Sequence, residues 1–300
     1  MTPARKAFLL VLNYRPINWY GYLAIALLGY VWGVAEATYE TSVNLIKVLL
    51  LVACYLAFSF GVNNCFDVEE DRAKGGWNPI AKGELGWWEA FISSTAIGLL
   101  GAVLTYFWFG WLAETIYLSM LALAYFYSAP PLRFKSRPYL DVATHVFFFG
   151  VMILVYSFSA ASTDFLKLSV LVPFIVLLST YAEINNHVKD YGYDVEGNVK
   201  TTVVVLGLKS SVKLMRVVAL LVFASLIAVA LSEGVELAVL MVLNTAIYLL
   251  LERGFKLTES REDVIAWDRF TEKFLVNGFL LLLLWKGASF FDYILSILSA

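Results

Sequence analysis

Apolar stretches of about twenty residues, long enough to cross the hydrocarbon core of a bilayer, follow one another along most of this chain, and they limit what it can fold into. In lipid such a stretch must satisfy its own backbone hydrogen bonds, and an α-helix does so. Nine segments are predicted to span: Trp19 to Ala35, Ile46 to Val62, Ala90 to Ala113, Ile116 to Ser128, Val142 to Ala161, Leu168 to Ile184, Leu214 to Leu231, Val235 to Leu251, and Phe274 to Leu295. The fourth is short, and the ninth is interrupted by Lys286. Hydrophobic residues make up 60% of the chain and the mean hydropathy is +0.74, well outside the range of a soluble domain. The expected class is an all-α polytopic membrane protein.

The ends of the spans carry the rest of the organisation. An apolar run from Ala7 to Leu12 follows Arg5 and Lys6 and breaks at Asn13, Tyr14 and Arg15, which suits an amphipathic segment over residues 1–16 lying on the membrane surface. Cys54 and Cys65, eleven apart beside one apolar segment, read as packing residues rather than metal ligands or a disulfide. Loops rich in Lys and Arg stay on the cytoplasmic side. With an N-terminus inside, 18 of the 22 basic residues fall in inside segments. Lys47, Lys167 and Lys286 fall outside, and Arg216 starts a span. A net charge of -2 gives no reason to expect nucleic acid as a partner.

Asn63, Asp67 and Asp71 recur 123 residues later as Asn186, Asp190 and Asp194. Carboxylates four apart on a helix stand one above the other and repel unless a cation binds. Both patterns lie at the expected cytoplasmic ends of spans, the second and the sixth. Four spans separate them, which suggests two four-helix pseudo-repeats: residues 17–128 with the first pattern and 129–251 with the second, followed by a ninth-helix region, 252–300. Parallel repeats set equivalent residues about a common axis, so the two clusters would face one cavity.

Each pattern offers an amide oxygen and two carboxylates, hard ligands suited to Mg²⁺, which keeps several waters and shares its remaining positions with substrate phosphates. Two such sites would clamp a diphosphate. Arg72 and Lys74 follow the first pattern, Lys189 and Lys200 flank the second, and Arg133 and Lys135 lie on the loop Tyr127-Ser-Ala-Pro-Pro-Leu-Arg-Phe-Lys135; all are placed to neutralise that group. An ordinary topology signal accounts equally well for Arg133, Lys135 and Arg137, and better for Lys82, Lys209 and Lys213. Tyr127 and Tyr139 fit either interface anchors or a cavity wall whose π faces favour a carbocation. Glu183 near the end of a span points to a polar cavity, and a general-base role for His187 is the sharper of two readings.

Asn63-Asn-Cys-Phe-Asp67-Val-Glu-Glu-Asp71-Arg72, continuing through Asn78-Pro79 and Lys82-Gly83, resembles the first Asp-rich motif of the UbiA superfamily of intramembrane prenyltransferases. Asp190-Tyr-Gly-Tyr-Asp194, with Gly197, Lys200-Thr-Thr and Leu206-Gly207, resembles the second, and Tyr127 to Arg133 resembles the loop after the fourth helix. The resemblance implies nine transmembrane helices around a central cavity under a cytoplasmic polar cap. It also implies transfer of an isoprenoid from a prenyl diphosphate, for example geranylgeranyl diphosphate, to a lipophilic acceptor among the membrane lipids. Asn63, Asp67 and Asp71 would hold one Mg²⁺ and Asp190 with Asp194 the other. Arg72, Lys74, Tyr127, Arg133, Lys135, Tyr139, Asn186 and Lys189 would bind the donor. An acceptor like that of digeranylgeranylglyceryl phosphate synthase is expected. Two departures stand out: Asn64 occupies a position that is often Asp, and no Lys lies four residues after Tyr127.

A divalent-cation transporter is the rival reading, since paired carboxylates also suit ion passage. Transport sites lie near the membrane midplane, whereas these patterns fall at span ends. A CDP-alcohol phosphatidyltransferase would need an Asp-Gly motif, and the chain contains none.

Overall fold

The computed structural model describes residues 2–73, 75–197, 199–255 and 260–298. Lys74 and Lys256 lie outside them. The chain packs as two units, Met1–Ala35 with Tyr39–Thr163, and Glu36–Thr38 with Asp164–Ala300. Among the described residues all regular structure is helical.

In the first unit, α1 (Pro3–Asn13) starts at Thr2, whose hydroxyl accepts a hydrogen bond from the Arg5 N–H, with proline in the first turn where its missing N–H costs nothing. Leu9 is buried against Cys65, Ile80, Leu85 and Ala90, while Phe8 and Val11 on its other side are exposed. That is the two-faced segment expected from the sequence, and both cysteines are free thiols. There follow α2 (Tyr20–Gly33), α3 (Tyr39–Phe66), α4 (Val68–Ala73), α5 (Trp87–Ser128) and α6 (Leu140–His145), which runs through a π-helical turn, Val146–Val151, into α7 (Met152–Ser159). α3 packs along α5, and α2 along α7. The Tyr55 hydroxyl donates to the Phe148 carbonyl at 3.2 Å, tying α3 to the π-helical turn.

The second unit holds α8 (Leu171–Glu196), α9 (Thr202–Leu206), α10 (Leu208–Glu233), α11 (Val235–Glu252) and α12 (Arg261–Leu298). α10 packs on α8 and α11, and α11 on α12. Lys286 does not interrupt α12: its ammonium pairs with Glu233 at the end of α10, 2.8 Å away, so its charge is compensated.

Six helices among the described residues are long and apolar enough to cross a membrane: Tyr39–Phe66, Trp87–Ser128, Leu140–Ser159, Leu208–Glu233, Val235–Glu252 and Glu262–Tyr293. Each of the nine predicted segments falls mainly on helix, and the difference in number has three physical sources. The third and fourth are the two arms of α5, whose 42 residues would reach about 63 Å as a straight helix. Gly110, at φ 81° and ψ -176°, breaks it into 87–109 and 111–128, a conformation that costs glycine little. The first segment is α2, only 14 residues long. The sixth is α8, whose C-terminal half is the polar second pattern.

Candidate active site

The first pattern begins inside α3, at Asn63, and ends in α4, at Asp71, with Asp67 at the junction. The helical hydrogen bonds continue across that junction, Asp67 N–H to the Asn63 carbonyl at 3.1 Å and Asp71 N–H to the Asp67 carbonyl at 2.8 Å. The three side chains therefore stack as their spacing predicted. The Asn63 amide donates to the Ser128 hydroxyl at 3.0 Å, joining the motif to the end of α5 beside Tyr127. Tyr127 packs on Phe148 and His145, with ring centroids 5.1 and 6.0 Å away.

Asp67 is 9% exposed. The ammonium of Lys135 sits against its Oδ1 and lies 3.0 Å from Glu70 Oε2. Arg133 Nη2 lies 2.5 Å from Glu70 Oε1 and 3.7 Å from Asp67 Oδ1. The loop after α5 thus delivers two cations to the two carboxylates. Burial pushes the Asp67 carboxyl above its ordinary range; Lys135 opposes this, and the Glu70 and Asp71 charges add to it. Burial acts on Glu70 too, but Lys135 and Arg133 together hold its carboxyl below the usual range.

Asp71 receives the Asn78 amide at 2.8 Å and faces Arg15 Nη2 at 3.7 Å. Arg15 in turn donates to Asn64 Oδ1 at 2.5 Å and lies over the Trp77 ring, 4.6 Å from its centroid, while the Asn64 amide donates to the Asn13 carbonyl at 2.8 Å. Asn64, neutral where its position is often acidic, thereby latches the surface segment to the motif. Among the described residues other than glycine, positive φ occurs at Arg15 (52°), Arg133 (37°) and Tyr139 (69°). Such strain persists where surrounding structure enforces it, often at functional sites. Arg72, exposed, donates through Nε to the Ala81 carbonyl at 3.3 Å, and Tyr139 is exposed beside the loop.

The second pattern lies wholly on α8. Asn186 and Asp190 are exposed and Asp194 is buried, with the Thr201 hydroxyl 3.4 Å from its Oδ2. One turn earlier, buried Glu183 faces His187 Nε2 at 3.3 Å and accepts from the Asn186 amide at 3.4 Å. Lys189 pairs with Asp268 of α12 at 3.1 Å. Sequence reasoning counted Arg15 only as a topology charge and did not single out Glu70. Arg15 could have been found from its place directly after the broken apolar run, and Glu70 from its spacing within the motif. Asp268, 79 residues after Lys189, left no local signal.

The first cluster gathers Asp67, Glu70 and Asp71 with Arg15, Arg133 and Lys135, brought from three separate stretches of chain. Its acids suit a cation, and its bases suit an anion shared with that cation. Among the described residues no three His, Cys, Asp or Glu side chains group closely enough to hold a metal unaided. Buried Asp67, crowded by two further carboxylates, nevertheless fits a hydrated Mg²⁺ that keeps its waters and draws its other ligands from a phosphate.

A helical fold with apolar spans and this acid-base cluster suits an enzyme that handles an anionic substrate at a membrane. The chain belongs to the UbiA prenyltransferase family, which matches it over residues 16–291, and the transporter reading gives way to that assignment. A lycopene elongase/hydratase of Corynebacterium glutamicum is 26% identical over 220 residues, covering 72% of this chain and 75% of the relative. In fold, the chain is similar to a UbiA homologue from Archaeoglobus fulgidus solved with DMAPP and Mg²⁺, at a TM-score of 0.65 and 22% identity over 91% of this chain and 98% of the other. A digeranylgeranylglyceryl phosphate synthase structure matches with a TM-score of 0.65 and 18% identity, covering 94% and 98%.

Proposed function

We propose that the enzyme transfers a prenyl group from a prenyl diphosphate to a lipophilic acceptor within the membrane, with Mg²⁺ and with its site and N-terminus on the cytoplasmic side of nine crossings. The observation that carries this reading is the cluster in which Lys135 and Arg133 meet Asp67 and Glu70. In this reading residues 17–128 and 129–251 are the two repeats, each supplying one Asp-rich pattern. Asn63, Asp67 and Asp71 hold one ion, and Asp190 with Asp194 the other. Bound Mg²⁺ would supply Lewis acidity, offsetting charge on the departing diphosphate.

The chain's own groups do the remaining work. Lys135 and Arg133 exchange carboxylate partners for diphosphate oxygens and hold the leaving group in place. Arg15 and Arg72 add positive charge around the same motif, and Lys74 follows it in the sequence. Asn63, fixed by Ser128, keeps its amide at the mouth of the site. The ring of Tyr127 offers a π face to the allylic cation left behind.

Two acceptors fit a lipophilic pocket, a prenylated glyceryl phosphate and a carotenoid polyene; the 26% identical lycopene elongase/hydratase favours the polyene. The deciding experiment incubates purified enzyme with labelled geranylgeranyl diphosphate, Mg²⁺ and each acceptor, with the product identified by mass spectrometry. Absence of any prenylated product across donors of several chain lengths would remove the reading.

Replacing Lys135 with Ala is expected to weaken donor binding about tenfold, equivalent to about 1.4 kcal/mol. Calorimetric titration with the prenyl diphosphate checks this. An unchanged donor affinity would return Lys135 to a structural partner of Asp67.

A further inference from the structure

Asp268 is fully buried in the second turn region of α12, where a lone carboxylate is costly unless paired. Among the described residues it has two polar partners, both on α8. Its Oδ1 accepts a hydrogen bond from the Tyr181 hydroxyl at 2.6 Å, and its Oδ2 lies 3.1 Å from the Lys189 ammonium. Oδ2 takes no hydrogen bond among the described residues, so the Lys189 charge is what compensates its burial. Tyr181 and Lys189 are eight residues apart, about 12 Å along the helix. One carboxylate therefore grips α8 at two points more than two turns apart.

Those points matter because Lys189 directly precedes Asp190 of the second Asp-rich pattern. At 100° per residue, the buried stripe of Tyr181, Ile184, Asn185 and Val188 lies opposite exposed Asn186 and Asp190. Any rotation of α8 about its axis would swing Asp190 and Asp194 away together. Translation along the axis would strain both the Tyr181 hydrogen bond and the Lys189 ion pair to Asp268. The neighbouring Trp267 fixes α12 in turn, since its indole N–H donates to Glu252 Oε1 at 3.1 Å and Glu252 pairs with Arg216 at 2.5 Å. The helix that carries Asp268 is thus anchored independently of α8.

We propose that Asp268 is a positioning residue for the second Asp-rich motif: it holds α8 in rotational register through Tyr181 and Lys189, and Lys189 acts as the tether rather than as a ligand of the diphosphate. This rests on the prenyl-transfer reading for what the motif binds. The ion pair itself does not depend on that reading.

The test compares Asp268→Asn, Lys189→Met and the double variant in the full chain, purified in detergent. Mn²⁺ binding is read by electron paramagnetic resonance with inorganic diphosphate present, alongside steady-state kinetics with geranylgeranyl diphosphate. Asp268→Asn keeps an acceptor for Tyr181 and removes the charge. It is expected to weaken Mn²⁺ binding and lower kcat by about 10-fold or more, the usual cost of losing a partner that orients a ligand, with KM for the donor changed less than about twofold. Lys189→Met should match it, and the double variant should be no worse than either single one, because both remove one interaction. Thermal unfolding without metal separates folding losses from loss of register. Unchanged Mn²⁺ binding in Asp268→Asn, with only a lowered Tm, would overturn the proposal. So would additive losses in the double variant with a raised KM in Lys189→Met alone, which would mark Lys189 as a donor ligand. If the unmodified chain binds Mn²⁺ and diphosphate but consumes no donor, the functional reading fails while the positioning role is still decided by the binding data.

Discussion

Asp67→Asn is expected to lower Mg²⁺-dependent release of diphosphate from geranylgeranyl diphosphate by about 10³-fold, a loss of about 4 kcal/mol of transition-state stabilisation. The substitution preserves size and keeps an oxygen for Lys135, so the fold should survive with a Tm within a few degrees of the original. What it removes is the buried negative charge, crowded by Glu70 and Asp71, that a cation would neutralise. Asp190→Asn should show a comparable loss if the second pattern serves the same leaving group. Measurement of phosphate release after pyrophosphatase coupling, with Asp164→Asn as the control, checks both. Full activity in both variants would dissociate the paired acids from the chemistry. The control carries an exposed carboxylate 3.8 Å from Lys167, an interaction worth little in water.

Much of this arrangement was legible from spacing. The i, i+4 pattern at Asn63, Asp67 and Asp71 predicted a stack, and helical hydrogen bonding through the α3 to α4 junction delivers it. Hydropathy located each long helix that carries an apolar run, because burial in lipid or in packed helices needs the same residue types, and it passed over the short α9. It was less able to say where one helix becomes two. The break in α5 was expected between Ala113 and Ile116, and it falls instead at Gly110, whose positive φ leaves no mark on the hydropathy. Local pattern also missed the partners that come from afar. Arg15 reaches Asp71, 56 residues on, because α1 is held down through Leu9 and Asn13; Asp268 reaches Lys189 because α12 returns to α8. Such contacts are set by tertiary packing, and no periodicity in either segment encodes them. The neutral Asn64 shows the same limit from the other side. The sequence showed only that a commonly acidic position is neutral here; in the fold its amide group accepts from Arg15 and donates to Asn13 at once, and a carboxylate has no N–H with which to donate.

The largest stability loss is expected at Gly29→Val. α2 crosses α7 so closely that a Cβ on Gly29 would stand 2.6 Å from the Leu154 carbonyl oxygen and 3.2 Å from its Cα. Both are backbone atoms, so no side-chain rotation relieves the clash and the helices must separate. Small residues at helix crossings in lipid permit exactly this kind of backbone approach, and the packing gained there replaces the hydrophobic force that lipid does not supply. Overpacking a tight contact costs about 3 kcal/mol, enough to leave much of a marginally stable chain unfolded or aggregated. Gly21→Ala is the internal comparison, because nothing lies within 4 Å of a Cβ at that position of the same helix. Alanine there should hold Tm or raise it slightly through its better helix propensity. Thermal unfolding and size-exclusion profiles in detergent distinguish the two outcomes. The consequence reaches the site, since α7 continues back through the π-helical turn to His145 and to Phe148, on which Tyr127 packs. A folded Gly29→Val protein with unaltered Tm and activity would mean that α2 and α7 do not approach as closely as these atoms require.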